Sequence, residues 1–249
     1  MTLRFSCRLK DNAPAVRQLC VAFDLDDTLY LERDYVRSGF RALEPWVKAH
    51  LGLDDFSGKA WAHFEQRKRG HIFDAVLSQA GLRFDQGTIQ TMVDLYRGHK
   101  PDIHLAVDAA ECLQALRHQV YLALVTDGPE RSQQNKIDAL GLQRIFETTI
   151  LTSTLGSGCA KPNVQAFLAV QKRGDPAVRE YVYVADNPAK DFIGPRRLGW
   201  KTVRVRRGQG LYSSVEPPEA DYAADVEIHN LSLLIHFISM KNHHANSQG

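Results

Sequence analysis

The stretch VAFDLDDTLY, residues 21–30, places an apolar run directly before three carboxylates, Asp24, Asp26 and Asp27, followed by Thr28. The apolar run predicts a short buried strand with the acids at its carboxyl end. Because side chains alternate along a strand, Asp24 and Asp26 are expected on one face and Asp27 on the other, where it would serve as a turn or supporting residue. Clustered acids at the end of a buried strand repel one another and lose solvation, so a cation must offset them. The stretch therefore favours a metal-binding or reactive site over an ordinary polar turn.

The overall composition is that of an ordinary globular protein with little net charge. The chain has 249 residues, of which 44% are hydrophobic and 24% charged, and its net charge is +2. This length suits one α/β domain or a core with a smaller module, and the weak charge predicts no nucleic-acid or membrane partner. No apolar run approaches the roughly 18 residues that would span a bilayer. The scattered cysteines lack metal-ligand spacing, which favours reduced thiols and a cytoplasmic location; they are Cys7, Cys20, Cys112 and Cys159.

The order of predicted elements indicates a sheet interrupted by a helical module. After a first strand at 20–24, helical patterns follow at 35–50, 58–69, 72–79 and 86–99, with a kink or interruption expected at Pro45. Later strands are predicted at 120–126, 149–151, 181–185, 202–205 and within 223–238. Helices between them are predicted at 107–117, 131–140, from the Gly-rich turn 156–162 to 173, and 189–198. This alternation predicts an α/β fold with a mostly parallel sheet and helices on both faces.

Polar side chains stand at the carboxyl ends of three predicted strands. Asp24 and Asp26 follow the first, Thr126 ends the second, and Asp186 follows a later one. Parallel sheets bind ligands at this edge, so the four side chains are expected to meet there. Lys161, at the predicted start of a helix, would join them. Each residue alone has an ordinary explanation, such as a cap, a turn or a solvated surface position, and only the combination indicates phosphate chemistry.

This set of groups is suited to phosphoryl transfer. Asp24 and Asp186 would bind a divalent cation such as Mg2+, which prefers oxygen ligands. Asp24 would attack phosphorus to form an aspartyl-phosphate. Asp26 would protonate the leaving alcohol and later deprotonate the attacking water.

A second group of residues is expected to hold the phosphate. The Thr126 hydroxyl, the backbone N–H groups near Asp127 and Gly128, and Lys161 would contact the phosphoryl oxygens. Two further residues would orient the metal ligands or the lysine: Asn187 and Asp191.

In chain order these residues resemble the four motifs of the haloacid dehalogenase-like (HAD) hydrolase superfamily. The motifs are Asp24-Leu-Asp26-Asp27-Thr28, then Thr126, then Lys161-Pro162, then Asp186-Asn187 with Asp191. The resemblance spans about residues 21–234 and implies a Rossmann-like core that depends on Mg2+. It implies that Asp24 is the nucleophile, and that Asp26 is the acid and base and also binds the metal through its backbone carbonyl. It further implies that residues 34–103 form a helical C1 cap over the substrate, inserted into a core made of 1–33 and 104–249.

Residues 125–142 are most similar to the nucleotidase and sugar-phosphate phosphatase branch. Asp127 stands where nucleotidase-like members often have Asn, and its negative charge near the phosphate favours a phosphatase over a nucleotidase. We expect a Mg2+-dependent phosphatase of a small phosphorylated metabolite, a nucleotide or a sugar phosphate, that is a monomer or a homodimer. Substrate choice is expected to lie in the cap. There the basic turn 66–71 is interpreted as solvated, and so are Arg204, Arg206 and Arg207 near a strand end.

Three alternatives use the same fold. A phosphosugar mutase would share the whole catalytic set. A 2-haloacid dehalogenase needs no metal and lacks an acid two residues after its nucleophile, so Asp26 argues against it. A non-catalytic binding module would have lost one of the acids or Lys161, all of which are present.

Overall fold

A computed structural model describes residues 18–66, 70–235 and 238 of the chain. Six strands in this part form one parallel sheet in the order β3-β2-β1-β4-β5-β6. The strands are β1 (Leu19–Phe23), β2 (Tyr121–Thr126), β3 (Thr148–Leu151), β4 (Glu180–Ala185), β5 (Lys201–Val205) and β6 (Val226–Ile228). The predicted parallel α/β sheet is therefore confirmed. Positions 67–69 of the predicted basic turn lie outside the described residues.

The central strand is β1, which pairs in parallel with β2 on one side and β4 on the other. Phe23 lies opposite Leu124 of β2 and Val184 of β4, so the three carboxyl ends finish side by side. The chain order reverses between β1 and β4, and ligands bind at such switch points in open α/β sheets. The end of β1 therefore lies where a binding site is expected.

Helices cover the sheet on both faces. They are α5 (Val107–Leu116), α6 (Glu130–Ala139), α7 (Gln165–Arg173) and α8 (Ile193–Arg197). One apolar layer contains Phe23 and side chains of α5 and α6, and the opposite layer contains Tyr183 and side chains of α7. Because both faces are covered, β1 and β2 are almost entirely apolar and buried, as is typical of parallel sheets.

A separate helical bundle connects β1 to α5. Its helices are α1 (Glu32–Leu51), α2 (Phe56–Glu65), α3 (Ile72–Gln79) and α4 (Gln86–Gly98). They bury their own apolar core, which includes Phe40, Leu43, Phe56, Leu77 and Met92. We propose that this bundle is the predicted cap, with domain boundaries near residues 34 and 103. Among the described residues, no helix has both the length and the apolar character needed to cross a membrane.

Two predictions about the bundle helices need correction in detail. The interruption allowed for at Pro45 does not occur, because α1 continues through it to Leu51, and a kink there remains a prediction. Proline removes one backbone hydrogen bond, and the buried apolar side chains on both sides of it offset that loss. The helix α2 spans Phe56–Glu65, so it begins and ends earlier than predicted.

Two predictions about the core helices also need correction. Lys161 is not at a helix start; it lies in a turn before α7, which begins at Gln165. The helix predicted at 189–198 is reduced to α8. The Asp191 carboxylate accepts a hydrogen bond from the backbone N–H of Asn187 at 2.9 Å, and this bond closes a turn in place of the first helical residues.

Candidate active site

Asp24 follows β1 directly, and the backbone positions it. Its N–H donates to the carbonyl of Val184 at 2.9 Å, which extends the β1–β4 pairing by one residue. The side chain is buried between strand ends. Burial raises the pKa of Asp24 to about 7, although Lys161 opposes this shift and Asp191 adds to it. The carboxylate is therefore held where only a nearby cation keeps it charged.

Lys161 supplies that cation. Its Nζ lies 2.5 Å from Oδ1 of Asp24 and 2.8 Å from Oδ1 of Asp191, and it donates to the hydroxyl of Tyr183 at 2.9 Å. Burial alone would lower the pKa of Lys161, but Asp191 and Asp24 raise it well above its ordinary value. Two hydrogen bonds and the ion pair with Asp191 hold the ammonium, so Lys161 is a fixed positive charge inside the acid cluster.

Three carboxylates form a compact oxygen cluster at the same edge. One oxygen from each of Asp24, Asp186 and Asp191 lies within 4.8 Å of the others. In the described part of the chain, Oδ2 of Asp186 is buried without a hydrogen-bond partner. Burial, and then the charges of Asp191 and Asp24, raise the pKa of Asp186 well above its ordinary value. A hard divalent cation would bind the unpartnered oxygen of Asp186 and would offset the repulsion among the three carboxylates, so these residues fit the predicted Mg2+.

The cluster differs from the predicted metal set in one position. Asp191, expected only to orient its neighbours, contributes an oxygen to the cluster. The Asp26 side chain points to other partners, and metal binding through its backbone carbonyl remains a prediction. Asn187 lies beside the cluster and its backbone N–H donates to Asp191, while its supporting role remains a prediction.

Asp26 lies in the turn after β1 and is held by three donors. Its Oδ1 accepts hydrogen bonds from Lys136 Nζ at 2.7 Å and from the Tyr30 hydroxyl. Its Oδ2 accepts one from Gln133 Nε2 at 3.1 Å. Burial would raise the pKa of Asp26, but the Lys136 charge and these hydrogen bonds lower it. Since β1 ends at Phe23, turn geometry and not strand alternation places Asp26.

Thr126 ends β2 and is completely buried beside Asp26. Its Oγ1 accepts a hydrogen bond from Gln133 Nε2, the same group that donates to Asp26. Because Gln133 is the donor, the Thr126 hydroxyl can give its own proton to a phosphoryl oxygen. One glutamine thus links the predicted phosphate-binding hydroxyl to the predicted acid and base.

The charge of Asp127 is balanced within the protein. Its Oδ2 lies 2.7 Å from Lys190 Nζ, and its Oδ1 accepts hydrogen bonds from the Thr152 hydroxyl and the Lys161 N–H. Burial would raise the pKa of Asp127, but the two lysine charges lower it. Gly128 follows with φ of 135°, a conformation that favours glycine. The negative charge that the sequence places next to Thr126 is thus paired with Lys190.

Asp27 has the turn role expected for it. It adopts a φ of 53°, and its carboxylate accepts hydrogen bonds from the backbone N–H groups of Glu32 at 2.9 Å and Leu211 at 2.7 Å. These bonds fix the loop that carries Asp26.

Sequence reasoning missed five residues of the site: Tyr30, Gln133, Lys136, Tyr183 and Lys190. Gln133 and Lys136 are three apart on α6, so they lie on one helix face, and their position just after Thr126 could have indicated them. The two tyrosines gave no signal, because an aromatic ring next to or within an apolar strand is expected to be core.

Comparisons with known proteins indicate the same family as the order of these residues in the chain. Residues 21–205 match the family model described as haloacid dehalogenase-like hydrolase. A glyceraldehyde 3-phosphate phosphatase from Methanopyrus kandleri is 30% identical over 217 residues, which cover 84% of this chain and 91% of that protein. A phosphoserine phosphatase from Thermus thermophilus is 30% identical over 118 residues, 47% of this chain and 44% of that one.

The solved structures add a likeness of fold. The HAD hydrolase YfnB from Bacillus subtilis, bound to magnesium, superposes with a TM-score of 0.65 at 20% identity, over 89% of this chain and 99% of that one. A 2-haloacid dehalogenase from Pseudomonas syringae gives 0.58 at 23% identity, over 90% and 99%. The family model, the relative from Methanopyrus and the shared fold lead to one conclusion: the chain belongs to the haloacid dehalogenase-like hydrolases.

Proposed function

We propose that the chain is a Mg2+-dependent phosphatase of small phosphorylated metabolites that works through an aspartyl-phosphate on Asp24. The observation that carries the proposal is the buried Asp24–Lys161 pair beside the carboxylates of Asp186 and Asp191. Such a group of charges is costly unless it serves a charged ligand. Phosphatase-named relatives at about 30% identity support the same reaction.

In the first step, Asp24 attacks phosphorus as the bond from phosphorus to the alcohol oxygen breaks. Asp26 gives its proton to that oxygen. In the second step, Asp26 takes a proton from a water molecule, the water oxygen attacks phosphorus, and the bond to Asp24 breaks. Dehalogenation has no use for such a proton carrier, so Asp26 and its donors favour phosphoryl transfer.

The phosphoryl oxygens would be held by fixed donors. Thr126 can donate its hydroxyl proton, and the backbone near Asp127 and Gly128 follows it at the same strand end. Lys161 is already in place beside Asp24, so little reorganisation is needed as charge shifts. Bound Mg2+, held by Asp24 and Asp186 with Asp191 and the Asp26 carbonyl, would supply charge neutralisation between the carboxylate and the phosphate.

The substrate we favour is a small sugar phosphate of the triose type. The relative from Methanopyrus that spans most of the chain is named for glyceraldehyde 3-phosphate. The Asp127–Lys190 ion pair places two charged side chains next to the Thr126 position, which supports a short polar substrate over a nucleotide base. A cytoplasmic location and a monomeric or homodimeric state complete the proposal.

A phosphate-release screen with added Mg2+ tests this function. The panel would contain triose phosphates, longer sugar phosphates, phosphoserine and nucleoside monophosphates, with Asp24→Asn as the inactive control. We expect the highest kcat/KM with a triose phosphate. Release of an isomerised sugar phosphate instead of free phosphate would replace the proposal with a mutase, and an inactive, folded wild type would contradict it.

A further inference from the structure

The helix α6 presents Gln133 and Lys136 to the proposed acid and base. The two oxygens of Asp26 are held unequally. Oδ1 accepts from Lys136 Nζ and from the Tyr30 hydroxyl. Among the described residues, Oδ2 accepts only from Gln133 Nε2, at 3.1 Å, and that group also donates to Thr126. Oδ1 is therefore saturated, while Oδ2 has one weak, shared donor.

Lys136 is placed for this contact and not for solvent. Its side chain is only 5% exposed. Its Nζ lies between Oδ1 of Asp26, at 2.7 Å, and the ring of Tyr35 on α1, whose centroid is 4.2 Å away. A buried lysine–carboxylate pair such as Lys136–Asp26 contributes little to stability relative to a pair of apolar residues of similar size, so a purely structural reason for the pair is weak.

We propose that Lys136, together with Tyr30, is a positioning residue that fixes the Asp26 carboxyl group so that Oδ2 is the oxygen that exchanges the proton. The inference rests on the proposed phosphatase function. It identifies Lys136 as a residue that orients the Asp26 carboxyl group, and it assigns the exchanged proton to Oδ2.

The two oxygens then have separate tasks. Oδ1 stays bonded to Lys136 and Tyr30 throughout. The Oδ2 proton passes to the departing alcohol oxygen as the Asp24–phosphorus bond forms and the phosphorus–alcohol bond breaks. In the second half, Oδ2 receives a proton from water as the water oxygen bonds to phosphorus and Asp24 leaves.

The dependence of kcat/KM on the leaving group distinguishes a residue that positions the acid from one that only stabilises the fold. Phenyl phosphate needs a proton on its departing oxygen, whereas 2,4-dinitrophenyl phosphate departs without one. The two share the phosphate and the ring, so damage to Asp24, Thr126 or the fold would slow both equally. The parameter kcat/KM includes only steps up to departure of the alcohol, so it reports the acid function directly.

The test compares Lys136→Met with wild type on both substrates in saturating Mg2+. We expect kcat/KM for phenyl phosphate to fall about 100-fold, which is the size of effect expected when general acid catalysis is lost. We expect kcat/KM for 2,4-dinitrophenyl phosphate to fall by about threefold or less, because its leaving group needs no proton. Lys172→Met, on an exposed position of α7, is the matched control and should change neither.

A second variant distinguishes a loss of positioning from misfolding of Lys136→Met. Tyr30→Phe removes only the other donor to Oδ1 and should show the same selective loss to a smaller extent. Equal losses on the two substrates in both variants would overturn the inference and leave the phosphatase proposal intact. Failure of the folded wild type to release phosphate from these two substrates and from the triose phosphates would instead contradict the phosphatase proposal itself.

Discussion

The Nζ atom of Lys161 lies 2.5 Å from Oδ1 of Asp24, although the two residues are 137 positions apart in the chain. Both side chains are buried. Removal of either side chain would leave the other as an unpaired charge inside the protein. This pairing explains how a cluster of acids can exist at the end of a buried strand before any metal binds.

The first prediction concerns the stability that Lys161 provides. In metal-free protein, Lys161→Met should lower the free energy of unfolding by about 3 kcal/mol or more, because the neighbouring carboxylates lose their cation. Urea denaturation in a chelator measures it, and Lys172→Met serves as the exposed control. A change as small as that of the control would mean that the pair does not hold the site together.

The second prediction concerns metal binding by Asp186. Mg2+ should stabilise the wild type, by about 2.7 kcal/mol at 100 times its Kd. Asp186→Asn should abolish this stabilisation, and in metal-free protein it should raise the melting temperature because it removes one of three crowded carboxylates. Asp221→Asn, at an exposed position, should leave the Mg2+ effect unchanged. A full Mg2+ effect in Asp186→Asn would place the metal elsewhere.

The third prediction concerns His99, which follows α4 where the helical bundle joins the core. Its Nδ1 donates to the carbonyl of Tyr96, and its Nε2 accepts from the Ser38 hydroxyl at 3.2 Å, so the neutral ring suits the site. Burial lowers the pKa of His99 from its ordinary value of 6.5. A lowered histidine pKa means that stability is present above the unfolded pKa and is lost as pH falls toward the folded one.

The free energy of unfolding should therefore fall between about pH 7 and pH 5 more steeply in wild type than in His99→Gln. Urea titrations across this range measure both slopes. His118→Gln, at an exposed position, controls for histidine loss and should keep the wild-type slope. Parallel slopes for wild type and His99→Gln would show that His99 does not titrate with unfolding.

The arrangement of strands and the strand-end residues could be predicted because each depends on local pattern. Apolar runs identify buried strands, and parallel pairing brings their carboxyl ends together, which is why Asp24, Thr126 and Asp186 meet. Helix boundaries were harder. Tertiary packing decided that α1 continues through Pro45, and a side-chain turn at Asp191 shortened the helix after it.

Long-range polar pairs could not be predicted, because the periodicity of apolar residues shows which face of a helix or strand is buried but does not show which residue contacts that face. Arg207, expected to be solvated, donates to the Thr28 carbonyl at 2.8 and 2.9 Å and pairs with Asp108 at 3.0 Å. Arg204 is likewise buried. The contacts of Arg207 join the loop after β1 to a distant part of the chain, as Lys136 joins that loop to α6.

The most direct test of the central claim is to trap the covalent intermediate. Wild-type protein with Mg2+ and 2,4-dinitrophenyl phosphate would be quenched in acid, digested and mapped by mass spectrometry. Asp24→Asn would be treated in parallel. A second sample turned over in 18O-labelled water would show which atom the water attacks.

We predict phosphate on the peptide that contains Asp24, none in Asp24→Asn, and solvent 18O in the released phosphate but not in the Asp24 carboxylate. Phosphate on another residue, or turnover by Asp24→Asn at the wild-type rate, would contradict the account.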